Sequence, residues 1–295
     1  MKIMKIAFYV ILVSMVMTGC QFSRSVKKDL ASGLTSTGNG LTCEEVYLTV
    51  NNERTTRNSF SYGEMAYLVF NDVRGFKQEN SKSFPLMQIL VTSLKGDTLL
   101  FADNLYSEYT DGMNYSPLQL TADLTFAAPI KSGGEYLLKV IIRDRKGSGI
   151  YTSRLKFSVK GNDKINAEPL NVSYNEIYVY SEGKDKVIND GKISFDDNIY
   201  IMVEGLKGFK EENGMVFPGL SIMGTDSSGN KTLNNEDLFS EYSTAGIAVT
   251  DFTTRVSAHF KLTGSEFNNP LHVELVVWDK KSSAKLKVVT DLTVE

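Results

Sequence analysis

The chain carries one long segment twice. GFKQENSKSFP from Gly75 aligns with GFKEENGMVFP from Gly208, a displacement of 133 residues, and the same displacement lays NLYSEY (104–109) on DLFSEY (237–242). Over residues 75–109, 15 of 35 positions are identical to their partners, which marks a duplication. A fold must therefore fit into one period and be built twice. Two copies at so long a period make a tandem pair of domains; stacked repeats use periods of about 20–50 residues.

Within each copy the apolar pattern has a period of two. Leu118, Leu120, Ala122, Leu124 and Phe126 alternate with polar residues, and Phe252, Val256, Ala258 and Phe260 follow in the second copy. Tyr136, Leu138, Val140 and Ile142 correspond to Leu271, Val273, Leu275 and Val277. Alternation of this kind puts one side of a strand against a core and the other in water. About seven such strands per copy, punctuated by turns such as Lys95-Gly96-Asp97 and Ser228-Gly229-Asn230, predict an all-β chain of two homologous immunoglobulin-like β-sandwiches. The paired runs GGEYLLKVIIRD and NNPLHVELVVWD resemble the end of immunoglobulin-like modules of bacterial envelope proteins.

The first twenty residues bear on location. Lys2 and Lys5 precede an apolar run from Ile6 to Met17, about 18 Å as a helix and too short for a hydrocarbon core of about 30 Å. A basic head, a short apolar run and small residues at its end suit a secretory signal. Met17-Thr18-Gly19-Cys20 resembles the lipobox of bacterial lipoproteins, and the chain as a whole is similar to envelope lipoproteins of Bacteroidota. The resemblance implies cleavage before Cys20 and lipidation (palmitate and diacylglycerol) at that residue, with attachment stable because two or more acyl chains are involved. Gln21 after the cysteine resembles the signal for transfer to the outer membrane. In the lipoproteins that the chain resembles, surface exposure follows an acidic run after the cysteine; Gln21 to Lys28 has no acidic residue, so the resemblance implies the periplasmic face over the cell surface.

These readings divide the chain into a signal peptide (1–19), a lipidated flexible tether rich in Ser, Thr and Gly (20–40), sandwich one (41–160), a linker (161–168) and sandwich two (169–295). The formal charge of −3 becomes −5 once residues 1–19 are removed. That balance argues against nucleic acid or anionic lipid as the main partner, although Arg24, Lys27 and Lys28 near the anchor gain modestly from anionic headgroups. Of the two cysteines, Cys20 is committed to lipid, so Cys43 has no partner within the chain.

No catalytic constellation stands out. His259 and His272 occupy polar phases of strands without counterparts in the first copy, and no nucleophile elbow, zinc-protease or phosphate-loop motif is present. Asp226 and the Asp196-Asp197 pair are the best calcium candidates. The first aligns with a turn that keeps only Gly96, so the geometry is that of a turn and no metal or other cofactor is expected. The repeated hexapeptide, where Asn104 or Asp237 can cap a single helical turn, gives the one candidate binding corner: Tyr106, Glu108 and Tyr109 with Phe239, Glu241 and Tyr242. It serves either as a structural plug, in which Glu108 and Glu241 accept backbone hydrogen bonds and their amidation costs about 1–3 kcal/mol, or as a docking point for a partner. The expected role is a non-catalytic interaction module that holds an envelope protein or glycan, with no role in nucleic-acid binding. A subunit of a surface or pilus-like assembly and a glycan-binding accessory protein are the alternatives.

Overall fold

The computed structural model describes residues 24–295; the expected signal peptide and Cys20 lie outside the described residues. Sandwich one contains β1 (Arg24–Lys28), β2 (Thr35–Asn39), β3 (Thr42–Val50), β4 (Glu53–Thr55), β5 (Ser59–Ser61), β6 (Met65–Arg74), β7 (Pro85–Ser93), β8 (Thr98–Ala102), β9 (Leu120–Thr125), β10 (Gly134–Asp144) and β11 (Ile150–Lys160). Its larger sheet runs β1-β2-β11-β10-β7-β8, with β5 parallel to the end of β11; its smaller sheet runs β4-β3-β6-β9.

Sandwich two contains β12 (Ile165–Leu170), β13 (Glu176–Ser181), β14 (Lys186–Val187), β15 (Lys192–Ile193), β16 (Ile199–Glu204), β17 (Met215–Val216), β18 (Pro218–Thr225), β19 (Lys231–Asn235), helix α1 (Tyr242–Ala245), β20 (Ile247–Ala248), helix α2 (Val249–Thr254), β21 (Arg255–Phe260), β22 (Leu271–Asp279) and β23 (Lys285–Val294). Its sheets, β12-β23-β22-β18-β19 and β14-β13-β16-β21, repeat the first arrangement, and β15 lies parallel to β23 as β5 does to β11. Even the bridge Ser83↔Met113 recurs, widened into the pair β17–β20. Strand β1 alone has no counterpart in the second larger sheet.

The all-β expectation of two immunoglobulin-like sandwiches is met. Every inward position read from the alternation of β9, β10, β21 and β22 is buried. In sandwich one the core centres on Phe60, Phe126 and Phe157; in sandwich two it is aliphatic, around Ile201, Leu220, Leu275 and Val288.

Two boundaries need correction. Residues 20–40 are not one flexible tether, because β1 and β2 pair in register from Arg24↔Asn39 to Lys28↔Thr35, and β2 pairs with β11. The inward side of β2 presents Leu34, Ser36 and Gly38, and the Ser36 hydroxyl lies 2.7 Å from that of Ser153. A Cβ on Gly38 would stand 2.2 Å from the Leu41 carbonyl. Small side chains are what this close approach admits, so a composition typical of linkers here belongs to a strand. Likewise Ile165–Leu170 is strand β12, paired with β23, so the expected linker 161–168 runs into the second sandwich.

The repeated GFK segment has a shared structural cause. Gly75 and Gly208 sit at φ +98° and +109°, and a Cβ there would fall 2.2 Å from the Gly40 carbonyl and 2.4 Å from that of Asn171. Glycine alone accepts both the left-handed backbone and the contact. Phe84 and Phe217 close the same loops from inside, under Lys146 and Lys281 at 4.9 and 4.4 Å from their ring centres.

Candidate functional site

At the hexapeptide corner the anchors are Asn104 and Asp237, the two residues expected to cap the turn, and not Glu108 and Glu241. In sandwich one the Asn104 carbonyl Oδ1 accepts the backbone N–H of Met87 (3.3 Å) and Tyr106 (3.0 Å). In sandwich two the Asp237 carboxylate accepts those of Leu220 (3.2 Å) and Phe239 (2.9 Å). Each side chain thereby ties the turn to the strand before it, β7 or β18. Tyr106 lies across the smaller sheet, donating to the Thr121 carbonyl (3.1 Å) and accepting from its N–H (2.7 Å). Phe239 lacks the hydroxyl, and there Lys280 bonds the Phe239 carbonyl (3.1 Å) and the Asp237 carboxylate (2.8 Å).

Glu108 and Glu241 point into solvent and accept none of these backbone bonds, which overturns the expectation for them. The serine, glutamate and tyrosine of the repeat lie on the outer rim, where Tyr109 and Tyr242 are 45% and 37% exposed beside Tyr106 and Phe239. Asn104→Ala and Asp237→Ala should each cost about 0.5–2 kcal/mol, as loss of a capping side chain does. Glu108→Gln and Glu241→Gln should stay within about 0.5 kcal/mol, the range of neutral surface changes. Urea unfolding of the four variants decides between them.

Other sequence candidates are absorbed into the fold. Asp226 accepts bonds from Ser228 and from the backbone and side chain of Asn230, the closed circuit of a turn. His272 lies 2.8 Å from Asp291 on an exposed strand face, and His259 stacks against Tyr200 at 5.3 Å. Among the described residues no group of three or more His, Cys, Asp or Glu is placed to hold a metal ion, and no helix is long and apolar enough to cross a membrane. Cys43 is a buried free thiol, pushed up to about 11 by that burial.

The site that sequence reasoning missed is built between the domains. The outer face of β13 and β16 presents Glu176, Tyr178, Met202 and Glu204, which the end of sandwich one covers. The Tyr178 hydroxyl donates to Glu204 at 2.7 Å, and the Tyr62 hydroxyl of sandwich one reaches the same carboxylate at 3.4 Å. Tyr62 also accepts the Ala128 N–H, and its ring packs 5.4 Å from that of Tyr178. Burial pushes the Tyr62 phenol up to about 12 and raises that of Tyr178 as well. The Ser132 N–H donates to Glu176 at 2.7 Å, and Asn189 donates to the Tyr62 carbonyl at 3.3 Å. Gly63 lets Val187 approach, since a Cβ there would lie 2.2 Å from the Val187 side chain.

Beside this joint a cleft of about 650 Å³ opens, with Tyr62 and Tyr178 in its floor, Met65, Tyr180 and Val187 in its walls, and Asp185 and Asp190 at its rim. No spacing rule marks it, because its two walls come from different sandwiches and from segments far apart in the chain.

The joint should respond to pH. Burial raises the Glu176 carboxyl above its ordinary range. A carboxyl whose folded pKa exceeds its unfolded value stabilises the fold while protonated; that contribution is complete below the ordinary range and lost as pH rises through the raised value. Glu176→Gln keeps an acceptor for Ser132 without a charge, so it should be more stable than the parent at neutral pH. The advantage should vanish near about pH 4, where a free glutamate is itself largely protonated. Thermal midpoints across that window test this; an advantage independent of pH would exclude ionisation as its cause.

No family model matches the chain, and no curated protein does. Among solved structures, the C-terminal domain of wzt aligns at 14% identity over 46% of this chain and 77% of that one, with a TM-score of 0.32. The fibronectin(III)-like modules of Clostridium thermocellum CbhA align at 10% identity over 84% and 94%, with a TM-score of 0.21. A DUF3823 family protein from Bacteroides ovatus aligns at 12% identity over 75% and 93%, with a TM-score of 0.18. At these scores they carry no argument about role, and the immunoglobulin-like sandwich fold rests on this chain's own strand pairing.

Proposed function

We propose that the chain is a lipid-anchored protein of the bacterial outer membrane that holds a partner without transforming it. The carrying observation is the joint: Tyr62, Tyr178 and Glu204 join the two sandwiches and leave the tyrosine-lined cleft open beside them. A preformed concave site with an apolar floor and a few polar groups at its rim suits recognition of a ligand. The anchor is the lipid at Cys20, implied by the lipobox, and the periplasmic face is the favoured side. The partner is an envelope protein or glycan.

The test is capture from envelope extract and from a glycan library by the full chain purified in detergent. Tyr180→Ala and Met65→Ser, both at the wall of the cleft, should lower capture at least tenfold while leaving the thermal midpoint unchanged. Capture that survives both changes defeats the cleft. The anchor is tested separately: Cys20→Ser should move the chain from the membrane fraction to the soluble one, and continued membrane retention would defeat lipidation.

A further inference from the structure

The outer face of the larger sheet in sandwich one is assembled from segments distant in sequence, and its charge is one-sided. Register places Lys28, Thr35, Arg154, Lys139, Leu90 and Phe101 in a single row across β1, β2, β11, β10, β7 and β8. Five inter-strand steps make this row about 24 Å long. Arg143 and Lys156 flank it on the same face and with the three of the row make five basic residues. The carboxylates of this face stand at its margins: Glu135, 2.9 Å from Lys156, and Asp103, held by Gln88. Lys28, Lys139, Arg143 and Arg154 make no ion pair among the described residues. Arg154 and Lys139 are direct cross-strand neighbours, a like-charge pairing that destabilises a sheet left in water.

The duplication supplies an internal control. Strands β22 and β23 repeat β10 and β11 in the same register, and at the places of Lys139, Arg143, Arg154 and Lys156 stand Glu274, Trp278, Val289 and Asp291. None of the four keeps its charge and two are reversed. The fold therefore does not require the basic face, and a net charge of −3 for the whole chain conceals it.

What distinguishes the first sheet is its edge. Strand β1, the strand without a counterpart, begins four residues after Cys20, a reach of about 14 Å at full extension. Along that edge and across the face, Val26, Leu30 and Phe101 are 70%, 84% and 57% exposed. Basic residues with apolar ones among them, held this close to an acyl anchor, match an anionic bilayer surface, where each Lys or Arg strengthens attachment about fivefold.

We infer that this sheet face docks on the anionic headgroups of the membrane that holds the Cys20 lipid, so that sandwich one lies against the bilayer. The inference rests on the lipid-anchor reading. It replaces a swinging domain with a seated one and reverses the expectation that anionic lipid is no partner.

The experiment uses the full chain bearing a polarity-sensitive dye at Leu30→Cys. Cys43 stays unlabelled because its thiol is buried, and mass spectrometry of the purified chain reports lipid on Cys20 independently. Dye quenching is read on vesicles with nitroxide-labelled headgroups, made of phosphatidylcholine alone or mixed with phosphatidylglycerol. It should be several-fold stronger on the anionic vesicles and fall at high salt. In Lys139→Glu/Arg143→Glu it should drop to the level seen on neutral vesicles. The new glutamate at 139 faces Arg154 as an opposite-charge pair, so the variant keeps its fold, which the thermal midpoint checks.

Equal quenching on both vesicle types, or no effect of the substitutions, overturns the inference. Tight heparin binding without preference between the vesicles would also overturn it and assign the face to a soluble polyanion. A bare Cys20 would take up dye as well, so a Cys20→Ser chain labelled at position 30 alone is read in parallel: a bare Cys20 in the parent sinks the anchor, while the quenching pattern of the Cys20→Ser chain still decides the face.

Discussion

Phe126→Ala is expected to cost sandwich one about 3–5 kcal/mol, the range for truncating a buried phenylalanine. The Phe126 ring stacks on Phe60 with centroids 4.1 Å apart and planes within 13°, and it meets Phe157 at 5.1 Å. Loss of the ring leaves a cavity between β5, β9 and β11 that these neighbours cannot fill without leaving their own contacts. The backbone of Phe126 also bonds Gly63 and Glu64, the residues after Tyr62, so the damage reaches the joint between the domains. The chain's single tryptophan, Trp278, lies in sandwich two and separates the two units. Circular dichroism should show a large fall in the urea midpoint of sandwich one, with a smaller shift in the fluorescence of Trp278. A near-neutral result would mean that the aromatic cluster does not carry this core.

Asp279→Ala should cost sandwich two roughly 2–4 kcal/mol, the sum of two partly buried amides losing the acceptor that the buried carboxylate supplies, at about 1–3 kcal/mol each, less partial rehydration. The Asp279 carboxylate accepts the N–H of Lys210 at 2.7 Å and of Lys281 at 2.9 Å, and the Ser282 hydroxyl donates to it as well. Asp144 repeats this for Lys77 and Lys146 at the same distances, so Asp144→Ala should cost sandwich one a similar amount. Both aspartates close the strand that ends in IIRD or VVWD and pin the GFK loop. Here Trp278 fluorescence should follow the damaged domain directly. Asp291→Ala, whose side chain is exposed, is the control and should stay within about 0.5 kcal/mol. If Asp279→Ala matches it, the carboxylate is not the pin.

Much of the fold was legible because its signals are local. The alternation at 118–126 shows which side of β9 is inward, and the repeat shows that whatever holds one loop holds the other. The same repeat misled at the corner: Glu108 and Glu241 are identical in both copies, yet the anchors are Asn104 and Asp237, which differ. Their shared ability to cap the turn matters more than identity, and the second bond, which reaches back to β7 or β18, shows only when the structure is in place. The segment 20–40 misled for a related reason. Serine and glycine are the residues of a mobile linker, and also of a strand pressed close to its neighbours; only the partner strand tells the two apart.

The sequence by itself therefore determined that two homologous all-β units follow a signal-like segment, and it determined which side of each long strand is buried, because a period of two and a duplication are properties of neighbouring residues. The tertiary structure alone decided that β1 and β2 belong to the first sheet, that Tyr62 and Tyr178 meet over Glu204, and that Lys28, Arg154 and Lys139 stand in one row. Strand order and register bring together residues more than a hundred positions apart, and no local pattern records which strand will lie beside which. The cleft and the charged face exist only through that pairing.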